Sequence, residues 1–111
     1  MKYFITGAER QHTCYHEFYR GKWDKISFWK EESILLDDDM LSVCGDFFRA
    51  LQMVIPSYDP FGETEVTYSQ WKEIGRLLET AEESSRELYA EADRWAEKTF
   101  ALYNCFTILG I

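Results

Sequence analysis

Apolar positions in the second half of the chain recur at helical spacing: Trp71, Ile74, Leu78, Ala81, Ser85, Leu88, Ala92, Trp95, Thr99 and Leu102 advance by alternating three and four residues. Thr67 is placed to cap a helix starting at Tyr68. An unbroken helix over 68–103 would be a rod of about 50 Å at 1.5 Å per residue, too long for a compact domain. Thr80 and Ser84-Ser85 weaken its middle, so the pattern predicts a break near 80–85 and two packed helices. In the first half, Met40, Leu41, Cys44, Phe47, Phe48, Leu51 and Val54 form a second helical stripe, stopped before Pro56.

The remaining segments are shorter. KYFI (2–5) reads as a strand, and Thr6-Gly7-Ala8-Glu9 has the form of a capping box. A helix is expected to follow, with Ala8, Gln11, Tyr15 and Phe18 on its apolar side and Gly21 as its left-handed stop. The competing reading is a strand through the alternation of Thr13 to Tyr19. KISFW (25–29) and SILL (33–36) suit a hairpin, and CFTILGI (105–111) suits a final strand beside the N-terminal one. The expected fold is one α+β domain over 1–111, predominantly helical. Three to four helices pack with a small sheet made of the N-terminal strand, the central hairpin and the C-terminal strand.

Composition and charge sharpen this reading. With 46% apolar and 17% aromatic residues in 111, the chain can bury a core without disulfides or metal. No window approaches a membrane span and the first residues lack a signal-peptide apolar run, so a cytoplasmic protein is expected. Three cysteines with no CxxC pair point to reduced thiols. Residues 1–55 carry nine Asp/Glu against seven Lys/Arg and residues 56–111 carry eleven against five, so most of the net −8 lies in the second half. Such a field repels nucleic acid and anionic lipid and attracts a basic partner.

Candidate chemistry is sparse. His12, Cys14 and His16 hold three possible metal ligands or a thiol–imidazole pair, but a helix would split them and no orienting acid is identifiable. Asp37-Asp38-Asp39 lacks the spacing of a calcium loop and suits the positive end of the following helix. No phosphate loop, dinucleotide fingerprint, nucleophile elbow or zinc ribbon occurs. No catalytic residue, cofactor or metal is therefore expected. The stripe Glu79, Glu83, Glu87 and Glu91 costs an isolated helix about 0.2–0.5 kcal/mol per like-charged pair. In SYDPFGETEVTYS (57–69) no basic residue accompanies Tyr58, Asp59, Phe61, Glu63 and Glu65, and aromatic anchors within a charged rim are the make-up of a protein interface.

The segments YDPFGETEVTYSQW (58–71), FWKEESILLDDDML (28–41) and CFTILGI (105–111) resemble small bacterial immunity proteins of polymorphic toxin systems. The resemblance implies a cytoplasmic, non-catalytic inhibitor that binds a toxin domain made beside it, a basic one if the toxin is a nuclease. The partner contacts are then expected at Tyr58, Asp59, Phe61, Glu63 and Glu65, flanked by Glu79, Glu83 and Glu87. The alternatives are an adaptor or assembly subunit pairing through the heptad face, and a small enzyme using His12, Cys14 and His16 or the Asp37–Asp39 carboxylates.

Overall fold

The computed structural model describes residues 1–111. Five strands form one antiparallel sheet in the order β1-β3-β2-β5-β4, with β1 at Phe4–Thr6, β2 at Tyr15–Arg20, β3 at Ile34–Asp37, β4 at Glu63–Thr67 and β5 at Cys105–Leu109. The helices are α1 (Met40–Val43), α2 (Gly45–Val54), α3 (Tyr68–Leu77) and α4 (Glu83–Phe100). Helical residues make up 43% of the chain and strand residues 21%, so the protein is α+β with a full sheet and is not predominantly helical. No helix is long and apolar enough to cross a membrane.

The helix expected after Ala8 is a single 3-10 turn, Gly7–Glu9, followed by β2. The Glu9 carboxylate does reach back to the Thr6 amide at 2.9 Å, but the turn goes no further. Alternation decides the next segment. His16 and Phe18 meet the helical layer through Phe48 and Trp95, while Tyr15 meets Trp29 and Glu17 binds the same segment on the opposite face. Because both faces are covered, Tyr15 to Tyr19 are all buried and polarity does not alternate along them. Gly21 does adopt the left-handed conformation expected of it, φ 76°, at the end of a strand instead of a helix.

Of the expected hairpin only the second half is a strand. Residues 21–33 form a strap that crosses the outer face of the sheet. Glu17, fully enclosed, accepts the Trp29 amide at 2.8 Å and the Lys30 amide at 3.1 Å. The C-terminal strand lies between β2 and β4 and not beside β1: Phe18 pairs with Ile108, and Val66 with Phe106. The pairing is long-range, so neither half of the chain can complete the sheet without the other.

The helical layer follows the predicted stripes with two breaks. The 40–54 helix divides at Cys44, and the long helix ends at Leu77, passes through a 3-10 turn (Leu78–Thr80) and resumes at Glu83, within the expected region. Both interruptions serve one contact. The Asp46 amide donates to Glu82 at 3.1 Å and the Glu82 amide donates to Asp46 at 3.0 Å, so the first turns of α2 and α4 cap each other. Buried Ser85 accepts the Phe47 amide at 3.0 Å, which explains a polar residue on the heptad face. That face is otherwise interior except at Leu102, 78% exposed beyond the end of α4.

The core joins the layers through aromatic rings. Trp71 is completely buried, stacks on Tyr89 at 4.4 Å, meets Phe106 edge-on at 5.3 Å and donates its indole N–H to Asp93 at 2.8 Å. Trp71→Ala is expected to destabilise the domain by about 3–5 kcal/mol, the range for emptying a large aromatic site. Urea denaturation checks this; an unchanged midpoint would remove Trp71 from the core.

Candidate functional site

The chemistry-bearing residues of the N-terminal half come together in two His–Asp pairs. His12 Nε2 lies 3.1 Å from Asp37 and His16 Nε2 lies 2.8 Å from Asp38. A carboxylate accepts, so each Nε2 carries the proton. The Cys14 amide donates to His12 Nδ1 at 3.0 Å, which occupies the lone pair a general base would need. His16 is fully buried and its Nδ1 has no partner. No three His, Cys, Asp or Glu side chains are arranged to hold a metal ion. Of Asp37–Asp39, Asp39 occupies the N-cap position of α1 as expected, but its side chain makes no capping hydrogen bond. Asp37 belongs to β3 and accepts the Asp39 amide at 3.0 Å, and α1 is too short to offer much of a dipole.

The glutamate stripe divides in function. Glu79 and Glu83 are exposed on the surface. Glu87 accepts the Tyr3 hydroxyl at 2.6 Å and Lys2 Nζ at 3.1 Å, and the Tyr3 bond first, then Lys2, pulls its carboxyl below the usual range. Glu91 takes the amides of Lys2, Tyr3 and Phe4. The lower stripe therefore fastens the N-terminal segment to α4, and Glu87 is already engaged.

In the 57–69 segment a tight turn leads into β4, and Tyr68 and Ser69 open α3. Tyr58 is only 7% exposed and belongs to the core, so it is not a surface anchor. Burial, then the nearby Asp38 and Asp59 carboxylates, pushes its hydroxyl pKa up. Phe61, by contrast, stands 77% exposed on a braced turn. Asp59 accepts the Phe61 amide at 2.9 Å, the Gly110 amide donates to Gly62 at 2.7 Å, and the Ile111 amide donates to Pro60 at 3.0 Å. Gly110 is required here because any Cβ would collide with the Pro60 carbonyl.

Phe61 is one wall of a cleft of about 450 Å³ whose lining includes Trp23, Phe28, Glu63, Leu109 and Ile111. The opposite wall comes from the strap, where Phe28 is 54% and the neighbouring Ile26 82% exposed. These strap residues lie outside the expected contact set, and the segment KISFW, which the sequence predicts as a strand, is irregular chain. Their signal is apolar residues without period in a Gly/Lys/Asp-rich stretch.

The strap also changes the electrostatics of β4. Lys25 Nζ meets Glu63 at 2.7 Å, and that bond raises the lysine pKa. Asp59 serves the turn, whereas Glu65 is exposed and forms no ion pair or hydrogen bond.

Two strap residues, Lys25 (φ 68°) and Trp29 (φ 59°), are left-handed at about 1–2 kcal/mol each. Two carboxylates hold them there. Asp24 accepts the Ser27 amide and hydroxyl, each at 2.7 Å, and the Ile26 amide at 2.9 Å, with the Trp23 indole donating to the Ser27 carbonyl at 2.8 Å. Glu17 holds the other end. The cleft thus sits between two hydrogen-bonded loops, and its largely apolar lining suits an apolar side chain. The fold and surface together define an α+β domain that presents a braced aromatic cleft. No protein-family model, curated protein or solved structure matches the chain.

The Ser27 amide first, then its hydroxyl and the Ile26 amide, lower the Asp24 pKa to about 2. The ordered turn favours the ionised form. Its contribution is thus complete above the usual carboxyl value of 3.8 and is lost as pH falls toward 2. The Ile26 and Ser27 amide resonances should keep their positions down to about pH 3 and move with an apparent pKa near 2; a midpoint near 4 would contradict the geometry. At the other end, Glu17→Ala leaves two enclosed amides without an acceptor and should accelerate hydrogen exchange at Trp29 and Lys30 by at least about fivefold. Exchange there equal to wild type would show that the strap is held otherwise.

Proposed function

We propose that the protein is a non-catalytic, protein-binding inhibitor of the immunity type. Its partner on this reading is a basic toxin domain, neutralised in the cytoplasm. The observation that carries the reading is Phe61, an exposed aromatic ring on a turn braced at both ends, beside a cleft and within an acidic chain. A monomeric protein gains nothing by exposing Phe28, Ile26 and Phe61 together, and an interface uses such residues as anchors within a polar rim. Pre-ordered loops lose little entropy on binding, which favours a tight complex.

Charge supplies the complement. The net −8 favours the approach of a basic surface, and Glu65, without an ion-pair partner, lies near the anchor beside Asp59 and Glu63, which the turn and Lys25 already engage. Glu79 and Glu83 remain available as an outer rim. Tyr58 and Glu87 leave the contact set because one is buried and the other engaged. The reading assigns no reaction to His12, Cys14 or His16. The heptad face that the adaptor alternative needs is packed inside.

The direct test mixes the purified protein with the basic domain encoded beside it and follows complex formation together with that domain's activity. A stoichiometric complex with the activity abolished is expected. Phe61→Ala should weaken the complex by about 2–4 kcal/mol, the range of an interface hot spot, with an unchanged melting temperature. Glu65→Lys should slow association and leave dissociation nearly constant, an effect that fades with added salt. Full partner activity in the presence of excess protein would defeat the inhibitor reading. Wild-type affinity in Phe61→Ala would move the contact away from the cleft.

A further inference from the structure

Six of the twelve Lys and Arg side chains, Arg10, Arg20, Lys22, Arg86, Arg94 and Lys98, form no ion pair, and three of the six share one place on the surface. Arg20, Arg94 and Lys98 form no ion pair, and all three line one pocket of about 210 Å³. The pocket shares no residue with the Phe61 cleft. Trp95 and Ile34 give it an apolar side. Its one acid, Glu91, is committed, accepting the amides of Phe4 at 2.8 Å, Lys2 at 3.0 Å and Tyr3 at 3.1 Å.

Arg20 is fixed in place. Its Nε–H donates to the Glu32 carbonyl at 3.2 Å, a terminal N–H donates to Thr99 Oγ1 at 3.1 Å, and the guanidinium lies 5.1 Å from the centre of the Trp95 ring. Trp95 is fixed in turn, donating Nε1–H to the same Glu32 carbonyl at 2.8 Å. The remaining guanidinium donors have no protein acceptor. Arg94 and Lys98 stand four residues apart on α4 and so project from one side of it. The result is a rigid fork, two exposed cations and an aromatic ring in one concavity. An oxyanion with more than one charge satisfies such a set better than a single carboxylate, since a planar guanidinium binds two oxygens at once and the other cations neutralise the rest.

We propose that this pocket binds the phosphate group of a small phosphomonoester, whose apolar part rests against Trp95 and Ile34. The site is independent of the inhibitor reading.

The test follows the indole N–H of Trp95 and the Nε–H of Arg20 by NMR in the full chain. Phenyl phosphate, inorganic phosphate and benzoate are titrated at constant ionic strength. Saturable shifts of both reporters are expected with phenyl phosphate, with weaker saturation by inorganic phosphate and weaker still by benzoate. Arg94→Gln with Lys98→Gln changes only exposed side chains, so the fold is kept, and should lower the phenyl phosphate affinity about tenfold or more. Arg20→Lys keeps the charge and removes the fork, and should lower it as well. Shifts that stay linear in ligand, benzoate binding as tightly as phenyl phosphate, or wild-type affinity in the double variant would each overturn the proposal.

Discussion

The packing of one ring, Phe106, ties the architecture together. It stacks on Phe18 of β2 at 5.5 Å, meets Trp71 of α3 at 5.3 Å, and meets Trp95 and Phe100 of α4 at 5.4 and 5.8 Å. The strand that carries it is the last in sequence and lies inside the sheet, bonded to β2 on one side and β4 on the other. A residue near the C-terminus therefore joins elements drawn from both halves of the chain. Folding must close these long loops before the core gains its contacts, which makes a slow, all-or-none transition the natural expectation for this topology. The reciprocal bonds between Asp46 and Glu82 are the helical counterpart, since they join α2 to α4 across the same span.

Placing every helix on one face leaves the other face of the sheet to be covered by irregular chain. Tyr15, Tyr19 and Leu35 are buried there, yet the strap above them has no ladder of its own to satisfy its backbone. Glu17 resolves this by placing a carboxylate under two strap amides, and Asp24 does the same at the tip. The same bonds fix Phe28 and Ile26 at the surface. On the facing side, the amides of Gly110 and Ile111, just beyond β5, hold the turn that carries Phe61. The rigidity of the cleft is thus borrowed from the sheet, although most of the residues that shape it lie outside regular structure.

The sequence showed the helices well because one face of each is buried and the other wet. The stripes of α2, α3 and α4, and the interruption between the last two, are legible in the spacing of Phe47, Leu51, Trp71, Ile74, Leu88 and Trp95. Strands were harder for two opposite reasons. Tyr15 to Tyr19 has both faces covered, so its polarity does not alternate; Glu63 to Thr67 alternates cleanly, but its three exposed residues resemble a loop when taken with the preceding turn. The candidate site was legible only where it is local. Phe61 between Asp59 and Gly62 can be recognised as an exposed turn residue. The burial of Tyr58, the pairing of Glu63 with Lys25 and the arrival of Phe28 opposite Phe61 depend on chain far away in sequence, and no short window contains them.

Two kinds of force on this surface act over different ranges, and that difference bears on what the acidic charge does. Screening confines the attraction of exposed charges to about 8 Å at physiological ionic strength, so the net −8 influences how often a basic surface arrives more than how long it stays. Two carboxylates near the cleft are further blunted by internal partners, Glu63 by Lys25 and Asp59 by the turn it caps. In the proposed complex, residence then comes from water-excluding contact with Phe61, Phe28 and Ile26. On the proposed inhibitor reading, charge selects the class of partner and the braced aromatic cleft selects among its members by shape; where rivals share the same basic surface, the second kind of discrimination matters more than the first.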